Sequence, residues 1–95
     1  MNRTPLSFLT QLLQNAQKRV PLHSKFSHYL DTEQKSPYEI VGHAIHESTE
    51  EPLIIYKKLD SNEITWARTL KDFESHVVLN DSIVPRFQMI SKERK

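Results

Sequence analysis

Cysteine is absent from the 95 residues, and glycine occurs once. Without thiols the chain forms neither a disulfide framework nor a thiolate metal site, which fits a reducing compartment. With its single glycine at position 42, it has no glycine-rich loop to cradle a phosphate and no Gly-x-Ser-x-Gly nucleophile elbow. Long apolar runs are missing too, so no segment reads as membrane-spanning. The opening MNRTPLSFLTQLLQ lacks a small-residue cleavage site, so a secretory leader is not expected. Neither sign of charge dominates: 13 Lys and Arg stand against 12 Asp and Glu. Nucleic-acid binders ordinarily carry a basic excess or stripe. Here the basic residues are scattered apart from the KERK tail at 92–95, so RNA or single-stranded DNA binding is the weakest function class. What these absences leave is a cytoplasmic single domain with a small core and few apolar side chains to spare.

What is present divides into a helix and a run of strands. Over residues 5–19, Leu6, Leu9, Leu13, Ala16 and Val20 recur at steps of three and four, with glutamines and Lys18 on the other side. Thr4 suits the N-cap, Pro5 the first helical position, and Lys18 and Arg19 the C-terminal end of the dipole. So short a helix needs a surface to dock on: the rest of the chain, or a second copy in a homodimer through this helix. The expected divisions are a helix and linker at 1–22, a β domain at 23–92 and a tail at 93–95.

From Lys25 the pattern turns to β-formers. FSHYL, PYEIVGHAIHE, PLIIYKKL and EITWAR read as strands, TLKDFESH as a turn or two of helix with Thr69 or Lys71-Asp72 near its start, and VVLNDSIVPRFQMI as a hairpin about Asn80-Asp81. Regular alternation in the long strand puts Tyr38, Ile40, Gly42, Ala44 and His46 on one face, and Glu39, Val41, His43 and Ile45 on the other. Pro85 marks an edge or a bulge. A lone glycine inside a strand marks a bulge, a bend or a close approach. A strand bent there predicts a mainly β fold, a small closed barrel of five or six strands with an added N-terminal helix.

Taken in order, the segments HY, YEIVGHAIH, EPLIIYKKL, W-x-R followed by Phe73, and VPRF resemble a bacterial family designated domain of unknown function 1653, over about residues 25–91. The resemblance implies a small barrel of the Src-homology-3-like type and brings no activity with it. Members commonly carry a His-Ser/Thr-Glu-Thr run after the second strand, whereas this chain has His46-Glu47-Ser48-Thr49. The shift of one position counts against catalysis by that carboxylate, since it redirects the side chain. A proline commonly follows the W-x-R arginine, where this chain has Thr69, and the glycine usual before the tryptophan is missing.

The candidate binding residues are His28, Tyr38, His46, Glu51, Tyr56, Trp66, Arg68 and Arg86. Trp66, the only tryptophan, is expected in the core with Leu70 and Phe73, while Tyr56 and Arg68 reach the surface. A buried guanidinium needs an anionic mate, and Glu39 and Glu51 are the candidates for Arg68. Of the histidines, His43 and His46 point to opposite faces of a strand, which argues against shared metal ligation. His28 and His46 can meet across strands, with Glu47, Glu50 or Glu51 to add oxygen, but no paired-ligand spacing supports a metal site. No cofactor is implied. The leading expectation is a non-enzymatic binding module for a protein segment or a small anionic ligand near Arg68, His46 and the Glu50–Glu51 turn. The alternative is a small hydrolase or transferase using His46 with a neighbouring carboxylate as general acid–base.

Overall fold

The apolar stripe of the first segment winds into α1, Leu6–Arg19, with Pro5 at its N-cap and no side-chain cap. The computed structural model describes residues 5–31, 33, 36–61 and 64–91, so the proposed cap Thr4 and the KERK tail lie outside the described residues. Burial along the stripe deepens toward its C-terminal end: Ala16 and Val20 are buried in the core, Leu9 and Leu13 are half-buried, and Leu6 is exposed, as is Phe8 beside the stripe. The docked end is pinned where His43 Nε2–H donates to the Val20 carbonyl at 2.6 Å. Arg19 grips the Glu74 carboxylate with Nε at 2.9 and 3.1 Å.

Among the described residues seven strands follow: β1 Lys25–His28, β2 Tyr38–Ile45, β3 Pro52–Lys58, β4 Thr65–Thr69, then the single-turn α2 Leu70–Phe73, and β5 His76–Leu79, β6 Ser82–Pro85 and β7 Phe87–Ser91. Five form an antiparallel sheet in the order β4-β3-β2-β1-β7, and β5-β6 make a separate ribbon. Asn80 and Asp81, at φ 51° and 67°, form the expected tight turn of that ribbon. The expected hairpin ends at Pro85, because β7 leaves its neighbours and pairs with β1 instead.

The lone glycine does sit at a bulge. Ile40 lies opposite Tyr56 and Gly42 opposite Ile55, so Val41 is an extra residue in β2. Beyond it the phase inverts: Ile40 and then His43 and Ile45 share the core face, and Gly42 and Ala44 point away. The expected two-face assignment therefore holds only as far as Ile40. Gly42 has no positive φ, and a Cβ there would meet Ile55 Cβ at 3.7 Å, an ordinary contact.

The bulge curls the sheet without closing it. β4 and β7 remain edge strands, so the closed barrel expected from the sequence is replaced by an open, strongly curved sheet. Its concavity holds Phe26, Ile40, Ile54, Tyr56, Phe73 and Phe87. Phe73, 2 % exposed, stacks on Phe87 at 4.4 Å and meets the edges of Phe26 and Tyr56 at 5.1 and 5.6 Å. Burying one such ring stabilises the fold by roughly 1.5–3 kcal/mol. Phe73 takes the central place expected for the indole. Trp66 lies on the edge strand, with no further strand paired beyond it among the described residues, and is 46 % exposed, a correction to its expected place in the core. Tyr56 is corrected the other way: it is 5 % exposed rather than reaching the surface.

Candidate functional site

Arg68 belongs to an edge strand, yet its guanidinium turns inward across the concavity and lies 5.4 Å from the centroid of the Phe87 ring on the opposite edge. The next residue explains its anchoring. Thr69 has extended backbone and caps α2, accepting from the Asp72 N–H at 3.1 Å. The one turn so started puts Asp72 four residues from Arg68, whose Nη1 donates to Asp72 Oδ2 at 2.5 Å and whose Nε donates to the Tyr56 hydroxyl at 3.0 Å. Asp72, not Glu39 or Glu51, is thus the anionic mate. Glu39 pairs with the His23 ring at 3.1 Å, and Glu51 borders a separate groove with Arg19 and Lys71.

Arg86 converges on the same carboxylate from the link between β6 and β7. Its Nε donates to Ser75 Oγ at 2.9 Å and lies 3.9 Å from Asp72 Oδ1. Its backbone is fixed on both sides: the N–H donates to the Ser75 carbonyl at 2.9 Å, and the carbonyl accepts from the Tyr29 N–H at 3.0 Å. Arg68 Nη2 and both terminal nitrogens of Arg86 have no further polar partner among the described residues. They are also not sealed from solvent.

His28 ends β1 beside this pair, its ring 5.2 Å from Phe87 and 4.5 Å from Tyr29. Burial pushes its pKa below the ordinary 6.5, and the charges of Arg68 and Arg86 push it further, against a smaller opposing pull from Asp31. The ring is therefore neutral near pH 7. Nδ1 accepts from the Leu30 N–H at 3.2 Å, so the proton sits on Nε2 as a donor. Burial raises the Tyr56 pKa, with the Arg68 hydrogen bond opposing it, so the phenol stays protonated. Tyr38 packs edge-on against Tyr56 at 5.3 Å and lines a cleft of about 320 Å³ with His28, Asp31, Ser36 and Lys58.

Five of the eight sequence candidates thus gather in one place: His28, Tyr38, Tyr56, Arg68 and Arg86. The other three do not join them. His46 is exposed in the β2–β3 turn, where Nδ1 accepts from the Thr49 N–H at 3.3 Å, and it does not meet His28. Glu51 follows in the same turn, and Trp66 borders a groove with Lys58, Asp60, Ser61 and Ile64. Asp72 and Ser75 were missed. Their signal was the Thr69-x-x-Asp72 capping spacing with Arg68 one residue before it. Among the described residues no group of three or more His, Asp or Glu is placed to hold a metal ion, and no helix is long and apolar enough to cross a membrane.

Fold and site together define a small curved-sheet domain in which two cations converge over an aromatic floor. The chain belongs to the family described as protein of unknown function (DUF1653), whose model matches residues 24–89. Comparison with curated proteins gave no match, and comparison with solved structures gave none.

Proposed function

We propose that the domain is a non-enzymatic binding module for a small anionic ligand, seated at the Arg68–Arg86 pair beside His28. The observation that carries this reading is the convergence of two guanidiniums on one carboxylate, with three terminal nitrogens left to water. Guanidiniums recognise carboxylate and phosphate oxygens as forked donors, and the His28 Nε2–H adds a third donor group, an uncharged one. Asp72 then acts as the resident anion, holding both arginines in position while the site is empty. The open, curled sheet supports placing the domain as an unclosed relative of the small Src-homology-3-like barrels, with the site at the mouth of its concavity.

The test is a titration with inorganic phosphate at low ionic strength, followed by the His28 ring resonances and matched against sodium chloride. An anion bound between Arg68 and Arg86 offsets the two charges that depress the His28 pKa, so that pKa rises with phosphate and not with chloride. Arg86→Gln removes the response. Equal behaviour in the two salts would discard the reading.

A further inference from the structure

β4 is the terminal strand of the sheet, and among the described residues no further strand pairs with that edge. Natural edge strands are blunted by proline, lysine or a bulge. β4 reads Thr65-Trp66-Ala67-Arg68-Thr69, pairs with β3 without a register shift, and has its one charged side chain turned inward. Apolar surface is bare here too, as it is at Leu6, Leu30 and the Val78–Ile83 pair elsewhere. Trp66 is 46 % exposed and Ile64 is 52 % exposed, on the same face two residues apart. Thr65 and Ala67 are exposed beside them.

We propose that this edge pairs with the same edge of a second copy, antiparallel about a twofold axis through Ala67. The sequence of the strand is what commits it to its own kind. Reversed, Thr-Trp-Ala-Arg-Thr still has threonine at both ends and alanine in the middle, as an isologous contact requires. In that register Thr65 faces the partner's Thr69, and Trp66 faces the partner's Arg68 on the concave face. Ala67 meets the partner's Ala67 on the convex one. Threonine pairs are favourable across strands, the indole packs on the apolar stem of an arginine whose guanidinium turns inward, and two alanines let the backbones approach. Both hydrogen-bonding phases of an antiparallel pair accept a twofold centred on a residue. Two five-stranded sheets become one of ten, and the exposed indole is covered. Each copy also delivers Trp66 beside the Arg68 of the other, so the partner borders the arginine cluster. The proposal stands on the strand itself and does not depend on anion binding there.

A five-residue edge buries less than the roughly 1,200 Å² of a standard interface, so association is weak and concentration-dependent. It is tested on the full chain without added anion, by sedimentation velocity from micromolar to millimolar concentration, with emission of the only tryptophan recorded in parallel. The wild type passes from monomer to dimer as the emission shifts to the blue. Ala67→Glu and Ala67→Lys each set like charges opposite one another and weaken self-association by about tenfold or more. An equimolar mixture of the two regains the dimer. Ala67 is exposed, so circular dichroism shows both variants folded. Phe8→Ser, on the exposed end of α1, leaves association unchanged. A wild type monomeric throughout, or a mixture that fails to recover, would overturn the proposal. So would a dimer lost in Phe8→Ser, which would move the interface to the helix.

Discussion

The bond from Arg68 to the buried Tyr56 hydroxyl is the test of whether the arginine is a staple of the fold. Removing the hydroxyl in Tyr56→Phe costs about 1 kcal/mol, the usual net worth of an intramolecular hydrogen bond. Arg68→Leu removes more. The same bond is lost, again about 1 kcal/mol. The ion pair with the half-exposed Asp72 adds no more than about 1 kcal/mol after solvent screening. The guanidinium over Phe87 adds about 0.5–1 kcal/mol. Leucine regains part of the contact with that ring, so the net loss is about 2 kcal/mol. In a domain of this size each kcal/mol moves Tm by about 4–8 °C, so the leucine variant melts roughly 8–16 °C lower. In the double variant the hydroxyl is already gone, and the losses fail to add by about 1 kcal/mol. Urea unfolding of the four proteins, followed by circular dichroism, gives the cycle. A coupling near zero, or a leucine variant as stable as the parent, would refute the reasoning.

Two further outcomes follow from the same geometry. His28 has its pKa lowered by burial and by Arg68 and Arg86, so the unfolded ring binds more protons than the folded one. Its contribution to stability is whole above the unfolded value of about 6.5 and is lost as pH falls through the window below it. Melting temperatures from pH 7 downward, with His28→Gln as the control that flattens this part of the profile, check the sign; an unchanged profile would count against it. Gly42→Ala places a methyl group in ordinary contact with Ile55 on a backbone without positive φ. It should therefore stabilise by about 0.4–1 kcal/mol through the unfolded chain, read from the urea midpoint. A loss of that size instead would mean the bulge needs glycine.

Local chemistry carried most of the legible structure. The first four strands, the Asn80–Asp81 turn and the Thr69 start of α2, one of two starts the sequence left open, each depend on a few adjacent residues and lie within the segments that those residues mark. The failures arose where a distant neighbour decides. Trp66 reads as core by size, but strand order puts it on an edge, and strand order is not written in any local pattern. Alternation along β2 was followed correctly to Ile40 and then lost, because which residue next to the glycine is the extra one depends on the partner strand. For the site, the aromatic and basic residues were found by type. Asp72 was passed over because its role needs a strand to end and a helix to begin within one residue of Arg68.

The extra residue at Val41 also says which changes the chain tolerates. Val41 is exposed, so many side chains would serve there. Deleting it, or adding a second, would rotate everything from Gly42 to Ile45 by half a turn. His43 would then swing away from the Val20 carbonyl, and the hold on the end of α1 would go with it. At this point the spelling is free and the syllable count is fixed.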